Sequence, residues 1–273
     1  MSSMKREVLL ENMTWKEVQE RMKETDIAII PVGSTEQHGL HLPVNNDTFT
    51  AFHIAKKAAE IAYDDVKTVV VPAVPYGLTD WAFPGTITLS RETLVSLYKD
   101  IAKSLIQRGF KKIVFVNGHG GNIIPLQLAM DEIRRETGAL VALVQYWELS
   151  YEKILAMLET KNKVFGHSCE METSISWALG QQVREDKRTK TIPPSTPTLR
   201  DYVTPTFRPK VPINIGIVDP KVKEAFKSEK WNGVIGDATL ASKKKGEKML
   251  KPTLDAFVEF LRRIKDVKVE LKK

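Results

Sequence analysis

The chain has 273 residues, 42% of them hydrophobic, which bounds it to one large core or at most two. Charged residues make up 27%, ordinary for a water-exposed globular protein, and no apolar run approaches the roughly 20 residues that span a bilayer. The lone cysteine, Cys169, excludes an intrachain disulfide framework, and of the net charge of +7 an excess of six lies between Lys243 and Lys273.

Met1–Glu7 leads into a mixed segment rather than a signal-peptide core, so the expected location is the cytoplasm. An apolar run at Ile27–Val32 reads as the first strand. It ends at Gly33-Ser34-Thr35-Glu36-Gln37-His38-Gly39-Leu40-His41-Leu42-Pro43. Residues two apart in an extended chain share a side, so Glu36 and His38 can address one metal cluster. Carboxylate and neutral imidazole are the ligand types such a cluster takes. Asp47 opens the next helix, 47–62, where it reads as an N-cap, a role that ligation does not preclude.

A strand at Thr68–Val74, a helix at Arg91–Gln107 and a strand at Lys112–Val116 follow. After that strand, Asn117-Gly118-His119-Gly120-Gly121-Asn122 surrounds one histidine with three glycines. Such a run implies unusual backbone conformations or close approach to a ligand. It is neither a phosphate-binding loop nor a dinucleotide fingerprint. A helix at Ile123–Thr137, a strand at Leu140–Tyr146 and helices at Leu149–Leu158 and Glu170–Leu179 complete the pattern. His167 precedes the last of these. Glu170 and Glu172 lie about 200° apart around its axis, so only one of them faces a site easily.

The Pro-rich stretch 189–212 reads as a lid or a subunit contact. The basic C-terminal segment reads as an amphipathic helix with a solvated face. Its apolar positions are Leu250, Leu254, Phe257, Val258, Leu261 and Ile264. No base-contacting motif accompanies the charge, so neither nucleic acid nor membrane is an expected partner.

The alternation of short apolar strands with helices predicts an α/β fold, a sandwich around a mostly parallel β-sheet, as a single domain over 1–273. Ligands gather at the carboxyl ends of such strands. Three of the five histidines, His38, His119 and His167, lie in the Gly-rich or acid-rich segments. His41 shares the first segment, and His53 sits inside a helix.

Together these segments resemble the creatininase (creatinine amidohydrolase) superfamily. The match runs through Pro31–Gly39 with Asp47, Phe83-Pro84-Gly85-Thr86-Ile87, Asn117–Asn122, His167–Ser174 and Gly233-Val234-Ile235-Gly236-Asp237-Ala238. The resemblance implies a three-layer α/β sandwich holding two divalent ions (Zn, Mn or Fe), and a homo-oligomer, a hexamer in many relatives. Carried over by motif, Glu36 and His119 hold one ion, His38 the other, and Asp47 bridges them. Creatininase itself has a carboxylate where this chain has Gly121. Glu170 is therefore the expected fifth ligand, with Glu172 as the alternative and His167 as the acid/base. Trp81, Asn117 and Asn122 are expected to line the substrate pocket or support the ligands.

The implied activity is hydrolysis of a small cyclic substrate by hydroxide attack on a carbonyl, breaking an amide or formamide C–N bond. Alternatives are C–C ring opening of an inositol-derived cyclic ketone, or a metal-stabilised binding protein without catalysis. The Trp81 segment departs from many relatives, which carry a histidine there, and this argues against creatinine as substrate.

Overall fold

The computed structural model describes residues 6–79, 83–163, 165–191 and 231–272. Trp81 and all but the first three residues of the Pro-rich stretch 189–212 lie outside them. The chain groups into two compact units whose segments interleave along the sequence. Residues 1–36, 45–150 and 252–273 form the first, and residues 37–44 and 151–251 the second.

The first unit carries α1 (Trp15–Arg21), β1 (Ile27–Val32), α2 (Asn46–Ala62), β2 (Val69–Val70), α3 (Arg91–Gln107), β3 (Lys112–Asn117), α4 (Ile123–Thr137) and β4 (Leu140–Gln145). The sheet order is β2-β1-β3-β4, with every pairing parallel. Val32 stands opposite Asn117, and Asn117 opposite Gln145, so three strands end level. The loops after β1 and β3 therefore leave the sheet side by side, and the Gly118 N–H donates to the Val32 carbonyl at 2.8 Å.

Alternate strand residues serve opposite faces. Ala28, Ile30, Val32, Ile113 and Phe115 pack with Leu94 and Tyr98 of α3 and Leu126, Ala129 and Ile133 of α4. The intervening residues face α2, which presents buried Ala51, Ile54, Ala55 and Ala58. On that face Lys112 also reaches the Lys265 carbonyl at the end of the C-terminal helix. Helix, sheet and helix make three layers, and cover on both faces explains why the strands read as unbroken apolar runs.

Several boundaries differ from the sequence reading: β3 runs on to Asn117, β4 stops at Gln145, and the helix read over Leu149–Leu158 covers Tyr151–Met157. The second strand keeps only Val69–Val70 of Thr68–Val74, because Pro72 has no N–H to continue the ladder. The N-cap of α2 is Asn45, which places Asp47 inside the first turn rather than at the cap.

The second unit contains α5 (Tyr151–Met157), α6 (Glu170–Leu179), an antiparallel pair of β5 (Lys190–Thr191) and β6 (Gly236–Asp237), and the start of α7 (Lys243–Lys265). Every residue from Glu170 to Ser176 is buried. A Cβ at Gly246 of α7 would stand 1.8 Å from the Ser174 carbonyl oxygen, so the two helices meet there only through glycine. The six apolar positions of α7 singled out above are all buried. Among the described residues no helix is long and apolar enough to cross a membrane.

Candidate metal centre

In the first unit the level strand ends bring Glu36, Asp47 and His119 together. Their ligand atoms lie within 4.8 Å of one another. The His119 Nδ1 is 3.1 Å from Glu36 Oε1 and 3.3 Å from Asp47 Oδ2. Exposure is 0% for Glu36, 2% for Asp47 and 8% for His119, so charges here meet little solvent screening. Burial by itself pushes the imidazole toward neutrality. The hydrogen bonds and charges of Asp47 and Glu36 outweigh it and raise the pKa to about 10. Two buried carboxylates facing one imidazole make this a position that favours positive charge. Two carboxylate oxygens and one imidazole nitrogen also suit a divalent ion, so the donor set fits the metal that the sequence implies.

The backbone fixes which nitrogen is offered. His119 Nε2 lies 2.9 Å from the Leu78 carbonyl oxygen, which can only accept. Nε2 therefore carries a proton and Nδ1 faces the carboxylates. An ion binding here must displace the Nδ1 proton. Apparent affinity for that ion is therefore expected to rise about tenfold per pH unit above neutrality, levelling as pH approaches 10. Metal titrations at pH 7 and pH 8 check this; equal affinities would contradict it.

Asn117 and Asn122, expected to line the substrate pocket or support the ligands, have their amides committed to backbone. Asn117 accepts from the His119 N–H at 3.1 Å and donates to its carbonyl at 2.7 Å. Asn122 donates to the Gly33 carbonyl and accepts from the Leu78 N–H, both at 2.9 Å, tying together the loops after β1 and β2. They therefore support the ligand loops rather than reach toward a substrate. The glycines are steric. A Cβ at Gly118 would lie 2.2 Å from the Asp47 carbonyl oxygen. One at Gly121 would lie 2.0 Å from the Leu78 carbonyl oxygen and 2.5 Å from His119 Nε2, so this loop has no room for a carboxylate at that position.

The second unit gathers His38, His167 and Glu172. His38 Nε2 is 3.1 Å from Glu172 Oε1, with the histidine fully buried and the glutamate 7% exposed. The His167 ring tilts against His38 with centroids 4.4 Å apart. His167 Nε2 donates to the Gln37 carbonyl at 2.7 Å, which makes Nδ1 the basic nitrogen of its neutral form. The turn motif Gly233–Ala238 holds this arrangement. Ile235 N–H donates to the His167 carbonyl at 2.8 Å, and Gln37 Nε2 donates to the Gly233 carbonyl at 3.1 Å.

Glu170, the expected fifth ligand, points elsewhere. Its carboxylate pairs with Lys245 and accepts from Thr160 Oγ1 at 2.5 Å and from the backbone N–H groups of Glu159 and Thr160. Burial raises its pKa, but Lys245 and the Thr160 and Glu159 donors outweigh this and hold it below the usual carboxylate value. The phase of α6 explains the exchange: about 200° separates the two side chains, and Glu172 is the one turned to His38. Lys245, far along the chain, gave no sequence signal of this pairing.

His41 joins neither cluster. Its Nε2 meets Thr173 Oγ1 at 2.8 Å, and burial pushes its pKa down to about 4, so it is neutral at physiological pH. His53 bonds only its own helix, through Phe49 O, as its helical position suggested.

A covered parallel sheet whose strand-end loops carry a buried carboxylate–imidazole cluster defines an α/β protein built to hold metal. The chain belongs to the creatininase family: the family model described as creatinine amidohydrolase matches residues 11–261. It is a hydrolase, as the family and its named relatives are. It is 26% identical over 277 residues to creatinine amidohydrolase of Pseudomonas putida, covering 95% of this chain and 98% of that one. It is also 26% identical over 278 residues to 3-dehydro-scyllo-inosose hydrolase of Thermotoga maritima, covering 94% and 83%. Among solved structures, a creatininase with Mn matches at a TM-score of 0.76 and 25% identity, covering 95% of this chain and 99% of that one.

Proposed function

We propose that the protein is a two-metal hydrolase that breaks a C–N bond in a small substrate, either a cyclic amide or a formamide. In this reading Glu36, Asp47 and His119 would hold one ion, and His38 and Glu172 would hold the second. The buried Glu36–Asp47–His119 triad, with its ligand atoms within 4.8 Å of one another, is the observation that carries the reading. Only Gln37 separates Glu36 from His38, which limits their Cα atoms to about 7 Å apart. Two ions held by these residues would polarise a carbonyl and bring the pKa of water toward 7.

The remaining roles belong to the chain. The Leu78 carbonyl keeps the His119 Nδ1 turned toward the ion. Glu36, Asp47 and Glu172 neutralise the metal charge. An amine leaves a tetrahedral centre poorly unless it is protonated, and His167 Nδ1 is the group proposed to carry that proton. A homo-oligomer, hexameric on the family resemblance, belongs to the same proposal.

The second reading is C–C ring opening of a cyclic polyol ketone. It is supported by an inosose hydrolase standing at the same identity as the amidohydrolase. The same attack on a carbonyl serves both, with an enolate leaving instead of an amine. A product screen by mass spectrometry, using metal-loaded enzyme on cyclic amides, formamides and cyclic polyol ketones, separates them. Release of an amine with a carboxylate or formate is expected. Ring-opened acid from the ketones alone would overturn the first reading in favour of the second.

A further inference from the structure

We propose that His41 and Thr173 are positioning residues that aim Glu172 at the second ion. This rests on the proposed assignment of Glu172 and His38 to that ion. The starting point is the peptide of Ser168. Its φ is 52°, a left-handed conformation that costs a residue with a Cβ. In that conformation the Ser168 N–H points at Glu172 and donates to its Oε2. One carboxylate oxygen is thereby held, and the other, Oε1, is left facing His38 Nε2 at 3.1 Å.

Something must hold a strained peptide in place. The Ser168 carbonyl accepts from Thr173 Oγ1 at 3.3 Å, and the Thr173 hydroxyl meets His41 Nε2 at 2.8 Å. A hydroxyl has one proton. Because it goes to Ser168, His41 must donate from Nε2, which leaves Nδ1 as an unprotonated acceptor. That nitrogen is buried and has no hydrogen-bond partner among the described residues. A side chain serving stability alone would be replaced to advantage by an apolar one, since a buried unpaired acceptor is costly. The arrangement instead makes sense as a brace running from His41 through Thr173 to the Ser168 peptide, and so to the aim of Glu172. All five groups lie in the second unit, and Thr173 and Glu172 share the first turn of α6.

The test compares Thr173→Val, which keeps the shape and deletes the hydroxyl, with Thr173→Ser, which keeps the hydroxyl. Calorimetric titration of metal-free protein with Mn²⁺ reads the two ions separately. Thr173→Val is expected to weaken the second ion at least about tenfold and leave the first unchanged, with Thr173→Ser close to wild type. A purely structural role would lower the melting temperature without separating the two ions, and that result overturns the proposal. Hydrogen–deuterium exchange of the peptide spanning residues 166–174 supplies a readout independent of metal. It is expected to quicken in Thr173→Val and not in Thr173→Ser; equal exchange in all three proteins would also overturn the proposal. Wild-type protein that takes up a single ion would instead contradict the two-metal reading, while the exchange data still decide whether the brace exists.

Discussion

Replacing His119 with Ala is expected to abolish turnover and to remove the ion held by Glu36 and Asp47. Both carboxylates are buried, and the imidazole is the cationic group that meets both of them in the first unit. In the metal-free protein the variant takes the imidazole away from two buried acids, a loss of about 3–5 kcal/mol near neutral pH. Catalysis loses the electrostatic contribution of one ion, several kcal/mol, or about a thousandfold or more in rate. Steady-state kinetics, elemental analysis and thermal melts across pH read the three effects separately. A variant with normal metal content and normal rate would remove His119 from the site.

The second large effect is a contrast between neighbours. Glu172→Gln is expected to lose the second ion and with it turnover, while the fold survives. Glu170→Gln is expected to keep both ions and to lose about 1.5–3 kcal/mol of stability, because the partly buried Lys245 loses its Glu170 partner and keeps Glu159 at 3.1 Å. The pH dependence follows from the lowered Glu170 pKa. Its contribution is fully present above 4.5, the ordinary value, and fades as pH falls through the lower folded value. Wild type should therefore lose stability in that acid range more steeply than Glu170→Gln. Metal analysis and melts of the two variants side by side decide it. Loss of metal from Glu170→Gln would restore Glu170 as the ligand.

The sequence made the layered fold legible because its strands are covered on both faces. Ile27–Val32 reads as a strand from its apolar run alone, and α3, α4 and α6 begin and end where their periodicity does. The strand at Thr68–Val74 was overextended because its β-branched content speaks for pairing while Pro72 silently removes a ladder hydrogen bond. The clustering of Glu36, Asp47 and His119 was legible for a related reason: each sits just beyond a strand, and parallel strands deliver such loops to one edge.

The choice between Glu170 and Glu172 was not legible. Helical phase showed that only one of them could face the site. Which one depends on Lys245, Thr160 and the Ser168 peptide, contacts that no local pattern encodes. Asn117 and Asn122 were legible only as a choice between two roles, lining a pocket or supporting the ligands. Polar side chains in a Gly-rich loop look like ligand contacts, yet the same loop exposes backbone groups that need partners, and the two amides are committed to those. Gln37 and His41 went unassigned because they stand beside stronger metal donors in one short motif.

The central claim is that two ions sit on five named residues. Anomalous diffraction from crystals of the metal-loaded protein, collected on both sides of the metal edge, tests it most directly. Two peaks per chain are expected, one beside His119 Nδ1, Glu36 and Asp47, the other beside His38 Nε2 and Glu172 Oε1. A single peak, or a peak ligated by Glu170, would contradict it.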